Sequence, residues 1–122
     1  MKKLIRSFGY AFKGVAHATA TQLNFRIHLA ATVLALLLGY FLKISAGQWL
    51  WIALSITLVL VTELFNTMIE ALTDFVSPGF NDTAGRVKDM SAGTVVIAAL
   101  FALITGLVIY LPKLILFFNH AA

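Results

Sequence analysis

The 122-residue chain has no cysteine and very little charge. Without cysteine there is no disulfide scaffold, no cysteine-based zinc or iron–sulfur site and no thiol nucleophile. Only 9 basic and 5 acidic side chains are present, and hydrophobic residues make up 61%. With the 8 glycines the apolar share is about 68%, against about 45–50% in soluble domains. That share and a mean hydropathy of +0.94 argue against a water-soluble helix bundle and exclude disorder. No G-x-x-x-x-G-K-[ST] loop and no protein-kinase loop motif occurs, so the chain is no P-loop protein. The net charge of +4 points to an anionic partner, lipid phosphate or nucleotide phosphate. Nucleic acid is not expected for so apolar a chain.

The charges that exist leave three gaps. Residues 27–42, 44–62 and 90–112 carry no Asp, Glu, Lys or Arg. A membrane-spanning helix needs about 17–25 apolar residues. The second and third gaps meet this. The first is shorter, but Arg26, His28 and Lys43 can snorkel to the interfaces and extend it. Trp49 and Trp51 read as interfacial anchors. The expected spans are therefore residues 25–43, 47–74 and 89–112. Orientation follows from the bases. Lys2, Lys3, Arg6, Lys13, Arg26, Arg86 and Lys88 share one side, with Lys43 and Lys113 on the other. The positive-inside rule then places the N-terminus in the cytoplasm.

The N-terminus is not read as a cleavable signal peptide, because no uninterrupted apolar run follows Lys2, Lys3 and Arg6. Residues 4–22 instead predict a surface helix. Leu4, Phe8, Phe12, Val15 and Thr19 fall within about 80° of one another, with Lys3, Arg6, Lys13 and His17 opposite. Such a helix lies in the membrane surface with its bases toward anionic headgroups. The histidines, His17, His28 and His120, read as interfacial residues.

The end of the second span reads VTELFNTMIEALTDF. Glu63, Asn66, Glu70 and Asp74, spaced 3, 4 and 4, fall within about 80° on one helical face. Counting about 1.5 Å per residue from Trp49, Glu63 lies about 21 Å in and Glu70 about 31 Å in, against a hydrocarbon core of about 30 Å. Acids at such depth are expensive. Three acids and an amide running from dry to wet depth suit a reaction between a membrane-embedded group and a soluble one. The wet carboxylates can hold a divalent cation, and the dry one can accept a proton. After the turn formers Pro78, Gly79, Asn81 and Asp82 come Arg86 and Lys88. Lys88 can reach phosphate oxygens, and Asp89 beside it can orient it.

E-x-x-N-T-x-I-E-x-x-x-D from Glu63 to Asp74, followed by R-x-K-D from Arg86 to Asp89, resembles the prokaryotic diacylglycerol kinase family, which includes undecaprenol kinases. F-x-Y-A-F-K-G from Phe8 to Gly14 and N-F-R-I-H from Asn24 to His28 also resemble it, especially the undecaprenol-kinase branch. The resemblance covers nearly the whole chain. It implies an all-α integral membrane protein, a homotrimer of three-span protomers with a surface helix, in the bacterial plasma membrane. It implies Mg²⁺-dependent transfer of phosphate from ATP to a lipid alcohol, undecaprenol or diacylglycerol. By motif position, Glu63 would be the general base, with Asn66 hydrogen-bonding in the same site. Glu70 would bind the metal that bridges the ATP phosphates, Lys88 would contact those phosphates, Asp89 would take part in the nucleotide site, Asp74 would help hold that site together, and Tyr10 would sit against the adenine.

The family pattern has a glutamate where this chain has Gln22, opposite the metal-binding glutamate. Glutamine keeps a carbonyl oxygen but loses a full charge, so weaker metal binding is expected. The loop Ser77-Pro78-Gly79-Phe80-Asn81 stands where the family reads close to S-P-E-Y-H. Two other function classes remain beside a kinase: a non-catalytic member that binds lipid or nucleotide, and a small ion or proton pathway.

Overall fold

The computed structural model describes residues 1–121, and they fold into four α-helices in chain order. α1 spans Lys2–Thr21, α2 Leu23–Phe41, α3 Ala46–Val76 and α4 Asp82–Ala121. There is no strand among the described residues. α2, α3 and α4 are long and apolar enough to cross a membrane. The protein is an all-helical membrane protein. Its outward surface is rich in leucine, isoleucine, valine and phenylalanine, as a lipid-facing surface requires.

Each connection has a local cause. α1 and α2 are separated by one extended residue, Gln22, at φ −113° and ψ 110°. Residue 22, expected as the last of the surface helix, is therefore a joint. The guanidinium of Arg26 donates to the carbonyls of Thr19 and Ala20 at 3.2 and 3.0 Å. It thereby occupies two of the carbonyls that a helix end leaves without partners. α2 ends in a Schellman motif. Ile44 N–H donates to the Gly39 carbonyl and Lys43 N–H to that of Tyr40, with Lys43 at φ 53°. Ile44 is thereby tucked into the core. α3 opens on a capping box: Ser45 Oγ accepts from Gln48 N–H, and Gln48 Oε1 accepts from Ser45 N–H.

The apolar core lies at this end of the bundle. Ile44, Ile52, Ile109 and Tyr110 are buried together, with Leu38, Trp49 and Leu114 against them. Tyr110 Oη donates to the Ala35 carbonyl at 2.8 Å, tying α4 to α2. Gly39 permits the closest approach, since a Cβ there would lie 2.7 Å from Trp49 Cη2. Of the two expected anchors, Trp49 thus packs inward, and Trp51 alone stands exposed, beside Phe101.

α4 is longer than its expected span. Asn81 Oδ1 accepts from Ala84 N–H at 3.0 Å and starts the helix at Asp82. At the other end the helix continues through Pro112 to Ala121. A proline removes one backbone donor but does not end a helix whose neighbours keep packing. Phe117 meets Phe41 edge-on at 5.4 Å, level with the end of α2.

Candidate functional site

At the other end of the bundle, α3 carries the predicted acids down one face, and their burial falls in sequence order. Glu63 is 4% exposed and Asn66 6%, Glu70 is half-buried and Asp74 exposed. Glu63 is buried within a single protomer. A lone chain is therefore thick enough to cover it. The arrangement of the helices around α3 supplies the cover.

Two contacts organise this face. Asn66 Nδ2 donates to Glu70 Oε1 at 3.2 Å. An ionised carboxylate only accepts, which fixes the orientation of the amide. Asn66 Oδ1 is then a buried acceptor with no hydrogen-bond partner among the described residues. Second, His28 on α2 brings Nε2 to 3.4 Å from Glu63 Oε2. His28 does not behave as the interfacial residue expected of it. The available signal was its place in N-F-R-I-H, but sequence spacing within α2 does not show which residue of α3 it meets.

Glu70 opens onto a cleft of about 600 Å³ between α1 and α3. Gln22, Asp74 and His17 share its walls, with Ala11, Gly14 and Ala18 leaving room on the α1 side. Gln22 and Glu70, expected as partners, thus line one space. His17 joins them and was missed because the helical wheel of α1 placed it with the solvent-facing bases. Asp74 also borders a second, smaller pocket of about 260 Å³, formed with Ser77, Pro78, Gly79, Asn81 and Lys88. Lys88 Nζ pairs with Asp74 Oδ1 across these elements. The expectation that Asp89 orients Lys88 is corrected here: consecutive helical residues diverge by about 100°, so Asp74 takes that place. Asp89 and Tyr10 line neither space. Tyr10 is exposed on α1, with Lys13 Nζ 5.8 Å from its ring centroid.

The donors fit a cation that arrives with phosphate better than a self-sufficient metal cage. No group of three His, Cys, Asp or Glu side chains is placed to share an ion among the described residues. The cleft offers the carboxylates of Glu70 and Asp74, the latter paired with Lys88, and the neutral side-chain oxygen of Gln22. Magnesium is commonly bound in this way, by one or two carboxylates with substrate phosphates and water completing the shell.

The sequence profile described as prokaryotic diacylglycerol kinase matches residues 9–110, most of the chain and every element of this site except the first residues of α1. The chain belongs to the prokaryotic diacylglycerol kinase family. It is an enzyme, a lipid kinase of the phosphotransferase class. It is 34% identical to the undecaprenol kinase of Bacillus subtilis over 93% of both chains. It is 39% identical to the diacylglycerol kinase of Synechocystis sp. over 92% of its own length and 65% of that protein. With the diacylglycerol kinase of Escherichia coli K12 it shares 32% identity over 84% of each chain.

Proposed function

We propose that this kinase transfers the γ-phosphoryl group of ATP to the hydroxyl of a membrane lipid at the cytoplasmic interface of the bacterial plasma membrane, with undecaprenol as the favoured acceptor and diacylglycerol the second. The observation that carries the proposal is the burial gradient on α3. A carboxylate enclosed at Glu63 lies on the same face as a cleft that opens beside Glu70. A lipid hydroxyl reaches the first from the membrane, and a nucleotide reaches the second from water. The undecaprenol preference is supported by the N-F-R-I-H segment and by the similarity to the Bacillus enzyme across 93% of both chains.

In this reading Glu63 accepts the hydroxyl proton as the lipid oxygen attacks the γ-phosphorus and the β–γ bridging bond breaks. Asn66 holds Glu70 through Nδ2 and offers Oδ1 to the reactants. Glu70 and Gln22 would hold Mg²⁺, which supplies charge neutralisation at the nucleotide phosphates when bound. Lys88 exchanges the Asp74 carboxylate for phosphate oxygens, and Asp74 keeps it within reach. Asp89 and Tyr10 complete the nucleotide contacts. Both are open on the protomer surface, which accords with a site finished by a neighbouring copy in a homotrimer. The N-terminus and the loop between α3 and α4 face the cytoplasm.

Purified protein in mixed micelles with radiolabelled Mg-ATP, offered undecaprenol and diacylglycerol separately, tests this. Labelled phospholipid is expected with undecaprenol and is expected to fall to a measurable trace with Glu63→Gln. No turnover with either lipid and any common nucleotide overturns it. The neutral Gln22 favours one second reading, a member that binds lipid and nucleotide without turnover. Affinity without labelled product identifies that case.

A further inference from the structure

The buried carboxylate of Glu63 has a companion that the motif-based roles leave without work. We propose that His28 is a positioning residue for Glu63. It holds one carboxylate oxygen so that the other is aimed at the acceptor hydroxyl. The proposal rests on the reading of Glu63 as the general base.

An ionised carboxylate offers about four acceptor sites and no donor. Enclosed in apolar surroundings, it is costly unless donors meet it. Only two ion-pair contacts occur among the described residues, and the one at Glu63 is made by His28. Nε2 stands 3.4 Å from Oε2, from a different helix, with the imidazole itself mostly covered. The contact engages Oε2 and leaves Oε1 for the incoming proton. The same imidazole forms part of the wall of an apolar groove of about 320 Å³ between α2, α3 and α4. It therefore touches both Glu63 and this groove. During transfer the hydroxyl proton passes to Oε1, the lipid oxygen bonds to phosphorus, and ADP leaves with the electrons of the broken bond. His28 gives up no proton and takes none. Its contribution is the direction of the carboxylate, a quantity to which rates are steeply sensitive.

The test is a set of variants in mixed micelles with Mg-ATP and undecaprenol. His28→Leu is expected to lower kcat by about ten- to a hundredfold and to leave both KM values within about twofold. His28→Gln retains a donor of similar reach and is expected to recover about a third or more of the parent kcat. In a Glu63→Gln background, His28→Leu is expected to cost nothing further, because residues that act through one another are not additive. Should His28→Leu not fold in detergent, His28→Asn replaces it. Its amide is too short to reach Oε2, and the same fall relative to His28→Gln is expected. An unchanged kcat in the donor-less variant overturns the proposal, as does an equal fall in the Leu and Gln variants. So does full additivity with Glu63→Gln. If Glu63→Gln itself leaves kcat intact, the reading of Glu63 as base fails. If Glu63→Gln removes nearly all turnover while His28→Leu leaves kcat unchanged, only the role of His28 fails.

Discussion

Replacing Asn66 by leucine separates stability from activity. Two effects on folding oppose each other. The variant loses the Nδ2–H···Oε1 bond to Glu70, and hydrogen bonds to charged groups contribute about 1.5–3 kcal/mol when dry. Glu70 is half-buried, so water recovers much of this, and about 1 kcal/mol is lost. The variant also removes Oδ1, a buried acceptor without a partner, whose cost is about 1–3 kcal/mol. Leucine has the branching and heavy-atom count of asparagine, but its methyl groups are bulkier than the amide and cost about 1 kcal/mol in crowding. The net lies within about 1 kcal/mol of zero, a shift of at most about 4 °C either way for a chain of this size. Turnover is expected to fall by about two orders of magnitude, the cost of losing one aligned polar group at a reacting centre. Thermal melts followed by helical circular dichroism in detergent, paired with the lipid phosphorylation assay, measure both. A midpoint lowered by more than about 4 °C shows that Oδ1 is satisfied in the folded protein, and activity within about tenfold of the parent removes Asn66 from the site.

Three further outcomes follow from other residues. Gln22→Glu adds a charge to the wall shared with Glu70, so half-maximal activity should need about tenfold less Mg²⁺ in a magnesium titration; an unchanged requirement separates residue 22 from the cation. Gly39→Ala places a methyl group 2.7 Å from Trp49 Cη2 and should destabilise by about 1–3 kcal/mol, with Trp49→Phe restoring much of the loss in the double variant, as read by thermal melts. Lys43→Gly relieves a left-handed backbone at φ 53° and should raise the melting midpoint by a few degrees, corresponding to about 1 kcal/mol.

What the sequence made legible is what one helix contains by itself. Glu63, Asn66, Glu70 and Asp74 belong to a single rod, so their spacing gave their common face, and counting residues gave their depth order. The three spans were legible for the same reason, as runs without charge. Contacts between helices were not. His28 meets Glu63, and Lys88 meets Asp74 instead of its neighbour Asp89, because tertiary packing sets those pairs. The joint at Gln22 was hidden too. Nothing local in T-Q-L-N forbids helix there, and the break is held by Arg26 reaching back to Thr19 and Ala20. Trp49 had the composition of an anchor, and the absence of a Cβ at Gly39 gave it a place inside.

The enclosure of Glu63 by its own chain bears on how dilution would be interpreted. A protomer separated from any neighbours in excess detergent keeps this carboxylate covered. If specific activity falls on dilution, the loss traces to groups that stand open on the isolated chain, Tyr10, Asp89 and the rim of the cleft beside Glu70, and appears first as weaker nucleotide affinity. In the proposed mechanism, proton abstraction is the last function such a subunit would lose.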